Sequence, residues 1–524
     1  MTKNEDTERL LVEVEQRVME LYGNDPVAVE QAIYDTLYEE KARLDREKDR
    51  KEARRQEAFY RGISRKASTA GQEGQKEALR ALTNYYADEV AGHFNILVYL
   101  LATQVVPRGL SFMLQSMSPI KLVKSVPYGL GSIHDHVEIV GELEALQELL
   151  EKGTIILVST HSSNMDSIVL GYTINQLGLP PFTYGAGLNL FHNKFLGFFM
   201  HNLGAYKVDR RKKAELYKNV LKVYAGCSME MGYNNMFFPG GTRSRSGAVE
   251  NRLKMGLLGM GLDAYIHNLK TRSERPDIFV VPCTINYQVV LEAETLIEDY
   301  LKETGKSRYI IEDDEFSRPR EVLDFINKLV SLDSRITVRI GKSMDVFGNP
   351  VDNEGRSFDG RGRVIDRTRY VFRSGEPAFD EQRDHQYTQE LMHSISKAFH
   401  DNTVVKSTHL LCYTVFTMLQ EQNPGMGLYR LLRTGGSSDS MPLPDVYRRM
   451  EKNLNTLKKM QKQGKAQLGP TVAGGDLVFI VNEALNHLGN FHSRPAVSRR
   501  GDRIYHDQRN LLFYYHNRLV GFDI

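Results

Sequence analysis

The chain has 524 residues and no Trp, with 68 Lys+Arg against 66 Asp+Glu and 41% apolar residues. At about 150 residues per domain it has room for roughly three to four packed units. Cys227, Cys283 and Cys412 are too few and too widely spaced for a disulfide framework, a four-Cys zinc site or an iron–sulfur cluster, and they suit a reducing compartment. A net charge of +2 gives no reason to expect a nucleic-acid partner, although it can conceal local segregation. The N-terminal MTKNEDTERLLVEVEQ lacks the basic-then-apolar order of a secretory signal, and no apolar run reaches the roughly 18 residues needed to span a bilayer.

Residues 1–60 carry sixteen Asp+Glu and eleven Lys+Arg, with Leu10, Leu11, Val14, Val18, Leu21 and Tyr22 at helical spacing. This predicts an amphipathic helical region. Its continuation, EEKARLDREKDRKEARRQEAFYR, has opposite charges three and four apart and reads as a solvated helix. The short apolar stretches Phe94 to Val106 and Thr408 to Leu419 read first as buried core helices, and otherwise as membrane-surface segments.

From about Leu150 short β-branched or aromatic runs appear at Thr154 to Ser159, Asn235 to Phe238, Ile278 to Pro282 and Arg335 to Ile340. Helical stretches such as Ser167 to Gly178 and Ala214 to Met231 separate them. Strands alternating with helices predict an α/β layer structure. Further on, FGNPVDNEGRSFDGRGR and TGGSSDSMPLP read as linkers. Glu381 to His400, Tyr447 to Gln463 and Gly475 to Leu488 read as helices, and no internal repeat is apparent. The expected division is a helical region over 1–90, an α/β domain over 91–345 and a mostly helical region over 346–524.

Two stretches carry chemistry. The apolar run Ile155 to Val158 leads into Ser159-Thr160-His161-Ser162-Ser163-Asn164-Met165-Asp166, which puts His161 at a strand end and Asp166 in the first turn of a helix. A carboxylate there can orient the imidazole as a general base, though an H-x4-D pair alone is a common coincidence. The second stretch is Phe238-Pro239-Gly240-Gly241-Thr242-Arg243-Ser244-Arg245. Its glycines, Gly241 included, allow backbone N–H groups to approach an anion, and Arg243 and Arg245 add guanidinium forks suited to phosphate oxygens. The Gly-Lys-Ser/Thr ending of a nucleotide-binding loop is missing. Residues 190–260 hold twelve Lys+Arg and four acidic residues, a basic segment suited to a phosphorylated substrate, a coenzyme A or carrier-protein donor, or anionic headgroups.

In order and spacing, four blocks resemble the glycerolipid acyltransferases, and most closely the glycerol-3-phosphate and dihydroxyacetone-phosphate acyltransferase branch. They are His161 to Asp166, Gly204 to Arg210, Gly240 to Arg245 and Val281 to Tyr287. Gly185 to Leu190 and the C-terminal Leu511 to Leu519 (LLFYYHNRL) resemble further segments of the glycerol-3-phosphate branch. One position departs: the family's third block usually has Glu where this chain has Gly240.

The resemblance implies an α/β acyltransferase domain with a central mixed β-sheet flanked by helices, with helical N- and C-terminal regions. It implies transfer of a fatty acyl group from acyl-CoA or acyl-carrier protein to the sn-1 hydroxyl of glycerol 3-phosphate. His161 would serve as base, with Asp166 orienting it. Arg243 and Arg245 would hold the phosphate, and Lys254 and Arg210 would make further phosphate or donor contacts. Neither Ser162 nor Ser163 lies in a G-x-S-x-G elbow, so direct transfer without an acyl-enzyme is expected, with no cofactor and no metal. His192 and His201 read as ordinary surface or core residues. Phe94 to Val106 and Phe195 to Met200, if exposed beside basic residues, would seat the protein peripherally or monotopically on the cytoplasmic face of a membrane. Lysophosphatidate or dihydroxyacetone phosphate as acceptor, and a non-catalytic lipid-binding protein, are the competing readings.

Overall fold

The computed structural model describes residues 4–22, 25–47, 49–69, 71–100, 136–188, 198, 200–304 and 335–524. Among them the central sheet has eight strands: β1 (Val137–Gly141), β2 (Thr154–Ser159), β3 (Thr183–Gly187), β4 (Ala205–Val208), β5 (Asn235–Phe237), β6 (Ile278–Asn286), β7 (Ile336–Ile340) and β8 (Met344–Asp345). Their order is β1-β7-β6-β2-β5-β3-β4, with β8 also on β6. The neighbours β6, β2, β5, β3 and β4 run parallel, while β7 and β8 lie antiparallel to β6. The sheet is therefore mixed, as expected.

β2 is the run read from its β-branched aliphatic residues, and all six are buried. Side chains alternate across a strand, so Ile155 and Leu157 join one core while Ile156 and Val158 join another. The first core takes in helices α6 (Leu143–Leu150), α7 (Asp166–Gln176) and α10 (Ala293–Thr304). The second takes in α9 (Met255–Lys270), α11 (Glu381–Asp401) and Met229 of α8 (Glu215–Glu230). Helices thus cover both faces of the sheet.

Helices α1 (Asn4–Tyr22), α2 (Pro26–Leu44), α3 (Arg50–Thr69) and α4 (Gly71–Val90) form a third core with Leu216, Tyr217, Val220 and Tyr224 of α8. The alternating-charge run is not the solvated helix its pattern predicts. It breaks between Leu44 and Arg50, and Leu44, Ala53 and Tyr60 are buried. Glu40 is also buried, paired with Arg43 at 2.7 Å and accepting the Tyr86 hydroxyl at 3.1 Å. Charge alternation hid an apolar stripe one residue wide.

Helix α12 (Ser407–Glu421) contains the Thr408 to Leu419 stretch, and Leu410, Leu411, Val415 and Phe416 are fully buried in the first core. The other apolar stretch behaves differently. Only Phe94 to Leu100 of it is described, and in α5 (Ile96–Leu100) Ile96, Leu97 and Leu100 are exposed while Val98 is buried. No described helix is long and apolar enough to cross a membrane.

Both expected linkers are ordered structure, and one contains a repeat that the sequence reading missed. Asp345, Asp352, Asp359 and Asp366, seven residues apart, each accept the backbone N–H two residues on, at 2.9, 3.0, 2.9 and 3.1 Å. Gly348, Gly355 and Gly362 close the first three turns at φ of +85°, +78° and +77°. In the other segment, Ser440–Pro442 pairs with Arg503–Tyr505.

Candidate active site

Loops leaving the carboxyl ends of parallel strands emerge on one edge of the sheet. β2, β4, β5 and β6 therefore deliver all four sequence blocks to a common edge. Asp166 opens α7 with its side chain inaccessible to solvent. Its Oδ2 accepts the backbone N–H groups of Ser162 at 2.7 Å and Ser163 at 2.9 Å, and lies 2.9 Å from His161 Nδ1. Its Oδ1 accepts the Tyr287 hydroxyl at 2.6 Å. Four donors thus fix the carboxylate, and the carboxylate assigns the Nδ1 proton, so Nε2 is the nitrogen able to accept one.

The imidazole stacks on Phe238 at 4.1 Å and 17°. Its peptide is held on both sides: His161 N–H donates to Glu250 Oε2 at 3.2 Å, and its carbonyl accepts Ser244 N–H at 2.7 Å. Ring plane, tautomer and main chain are each constrained by a different segment.

Buried Glu292 joins the histidine turn to the arginine loop. Its Oε1 accepts Asn164 N–H at 2.9 Å and Arg243 Nη1–H at 3.2 Å, and its Oε2 accepts the Ser163 hydroxyl at 2.8 Å. Burial raises the Glu292 carboxyl above its ordinary range, opposed chiefly by Arg243. Arg245 makes a more exposed pair with Glu303 at 2.6 Å. Arg210 follows β4. Crowding by protein and the like charges of Arg243 and Arg245 hold its pKa below the usual arginine value. Gly241 has φ +76°, and a Cβ there would lie 2.8 Å from Lys254 Nζ, so the lysine lies over the glycine loop. Every expected site residue thus lies at this edge.

Residues 139–286 match the acyltransferase family model. They form an acyltransferase-family domain. Glycerol-3-phosphate acyltransferase of Pseudomonas aeruginosa PAO1 is 29% identical over 174 residues, 33% of this chain and 20% of the relative. The enzyme of that name from Pseudoalteromonas translucida is 36% identical over 162 residues, 30% of this chain and 19% of the relative. That from Xanthomonas axonopodis pv. citri is 27% identical over 214 residues, 41% of this chain and 22% of the relative. The matched region spans about a fifth of the length of these curated relatives.

Several residues of this candidate site have no role in the sequence reading. Tyr287 closed the fourth block but carried no assignment. Glu250 and Glu292 lie outside every motif, and nothing in their local sequence marks them. Arg518 belongs to the tail segment and is buried behind the site, donating to the Ile285 carbonyl at 3.2 Å. Burial lowers its pKa, opposed by Tyr514, Glu250 and Asp166. The tail also braces the loops around the site directly: Asn517 Nδ2–H donates to the Ser246 carbonyl at 2.9 Å, and the Tyr515 hydroxyl accepts Val290 N–H at 3.0 Å. A small cavity lined by Ser162, Tyr287, His409, Tyr514 and Arg518 separates the tail from the histidine turn.

His201 lies against His93, with ring centroids 4.5 Å apart and the rings tilted at 52°. His192, Asn189, Leu190 and Phe195 lie outside the described residues. Among the described residues no three His, Cys, Asp or Glu side chains are grouped to hold a metal ion.

Proposed function

We propose that this protein transfers a fatty acyl group from a thioester to the sn-1 hydroxyl of glycerol 3-phosphate, giving lysophosphatidate for phospholipid synthesis. The observation that carries the reading is Glu292, which binds the turn of the His161–Asp166 dyad and the guanidinium of Arg243 together. A phosphate held at the arginine loop would place a hydroxyl of the same small molecule beside Nε2. The names of the relatives favour glycerol 3-phosphate over lysophosphatidate and dihydroxyacetone phosphate.

In this scheme His161 Nε2 takes the hydroxyl proton as the oxygen attacks the thioester carbonyl, and Asp166 stabilises the imidazolium. An ester C–O bond forms, the C–S bond breaks, and the imidazolium returns the proton to the departing thiolate. Arg243 and Arg245 hold the phosphate, with Arg210 and Lys254 adding positive charge for phosphate or donor. The donor is acyl-CoA or acyl-carrier protein. The long-chain product and the exposed Ile96, Leu97, Leu100 and Phe198 support peripheral or monotopic seating on the cytoplasmic face of a membrane.

The deciding experiment follows thiol release from palmitoyl-CoA and palmitoyl-carrier protein on lipid vesicles, with and without glycerol 3-phosphate, in wild type and His161→Ala. Release that needs both acceptor and His161 is expected, and it names the donor. Release with lysophosphatidate or dihydroxyacetone phosphate but not with glycerol 3-phosphate would replace the acceptor. No His161-dependent release with any acceptor would move the protein to the lipid-binding reading.

A further inference from the structure

Glu250 is separated from His161 by 89 residues and lies in the irregular segment that leads from the arginine loop into α9. Its Oε2 accepts the His161 N–H at 3.2 Å. Its Oε1 is buried and has no hydrogen-bond partner. A Cβ built on Gly240 would lie 2.4 Å from that oxygen, 3.0 Å from Cδ and 3.5 Å from Cγ. Such a separation is far inside van der Waals contact, so position 240 has no room for any side chain while Glu250 occupies this place. Conversely, the three atoms nearest to a Cβ at Gly240 all belong to the Glu250 side chain.

From this juxtaposition we propose that Glu250 is a positioning residue for His161, delivering from position 250 a carboxyl into the space that a side chain at position 240 would otherwise fill. The inference rests on the acyltransferase reading. Glu250 holds the main-chain N–H of His161 while Ser244 holds its carbonyl, so histidine turn and arginine loop move as one piece. The Gly240 departure and the placement of Glu250 then become a single adaptation. Its ionisation agrees: burial pushes the Glu250 carboxyl up to about 8, against the opposing pull of the His161 N–H and Arg518. A neutral carboxyl can leave one buried oxygen without a donor at far lower cost than a charged one.

The test is a double-mutant cycle of wild type, Glu250→Gly, Gly240→Glu and Gly240→Glu/Glu250→Gly. Each variant is read by steady-state thiol release, thermal melting and the rate at which diethyl pyrocarbonate modifies the His161 peptide, with His393 as internal reference. Glu250→Gly should lower kcat about 10-fold or more with donor KM within about 2-fold, and change His161 modification by about 3-fold or more. Gly240→Glu should be impaired because two carboxyls compete for one space. The double variant should return to within about 3-fold of wild type in both readouts, although each single change is harmful.

Wild-type kcat and labelling in Glu250→Gly would overturn the proposal, as would a double variant no better than Glu250→Gly. If wild type shows no His161-dependent release at all, the acyltransferase reading has failed, and the labelling cycle alone decides the role of Glu250. If Glu250→Gly does not fold, the comparison of the double variant with Gly240→Glu decides it.

Discussion

Asp166 is a carboxylate with more donors than its position in a motif would suggest, and the added one is chemically distinct. The two backbone N–H groups of Ser162 and Ser163 come with the turn, so they are implied by H-x4-D itself. The Tyr287 hydroxyl arrives from the far end of β6, at 2.6 Å on the other carboxylate oxygen. A hydrogen bond to a charged group contributes about 1.5–3 kcal/mol. Tyr287→Phe removes it while keeping the ring, so the carboxylate can rotate away from Nδ1. We expect kcat for thiol release to fall by about 10-fold with acceptor KM unchanged, measured in steady state. An unaltered kcat would reduce Tyr287 to a packing residue. The same contrast explains what was legible here. His161, Asp166, Gly241, Arg243 and Arg245 sit in short motifs whose chemistry is local. Glu292 and Glu250 act on that chemistry from 128 and 89 residues away, and an isolated Glu in a loop carries no local sign of its partner.

At the scale of elements, the strands buried on both faces were readable and those at the sheet's margin were not. β2, β5 and β6 are buried at every residue and β7 at all but Arg339, and all four are rich in aliphatic and aromatic side chains. β3 contains Gly185, Ala186 and Gly187, and the Gly185 position shows why: a Cβ there would lie 2.9 Å from the Tyr206 ring on β4. Close approach of that ring replaced the apolar signal by glycine. The linker readings failed for a related reason. Gly and charge read as signs of exposed chain, whereas the first three seven-residue aspartate turns place Gly at positive φ. The tail's contact with the arginine loop imposes the same demand at Gly247, which has φ +81° and whose Cβ would lie 2.3 Å from the Tyr514 carbonyl oxygen. Gly247→Ala combines backbone strain with a clash against main chain, and should cost about 1–3 kcal/mol in a denaturant melt. It should also reduce hydrogen-exchange protection in Leu511 to Tyr515. Full protection there would mean that the tail is held independently of the loop.

At the scale of the whole molecule, carboxyls crowd together where helices α8, α9 and α11 meet. Asp263 of α9 faces Asp384 of α11 and Glu230 of α8, with Lys222 as the opposing cation, and burial followed by those two carboxylates raises its pKa to about 7. A carboxyl raised on folding favours the native state below its unfolded value near 4 and loses that contribution as pH rises through about 7. Asp263→Asn should therefore gain on the order of 2 kcal/mol over wild type at pH 8 and nothing at pH 4, in paired melts. A difference independent of pH would show that the carboxyl titrates alike in the folded and unfolded states. The outer surface poses the complementary problem of apolar groups left in water. Ile96, Leu97 and Leu100 are 52, 72 and 40% exposed, and Phe198 is 50% exposed. The two segments are tied together by Asn95 N–H on the Asn202 carbonyl at 2.8 Å and by the bridge between Phe94 and Leu203. Large apolar side chains in adjoining segments gain by entering a lipid interface, where each buried CH₂ contributes about 0.8 kcal/mol. Leu97→Asp/Phe198→Ser should therefore weaken sedimentation with phospholipid vesicles by about 10-fold or more, at unchanged melting temperature. Thiol release from a short-chain, water-soluble thioester should stay at the wild-type rate, because neither residue belongs to the histidine turn or the arginine loop. Equal sedimentation of variant and wild type would remove these residues from the membrane contact. Equal loss of vesicle sedimentation and thiol release would instead make these side chains part of the packing around the candidate site.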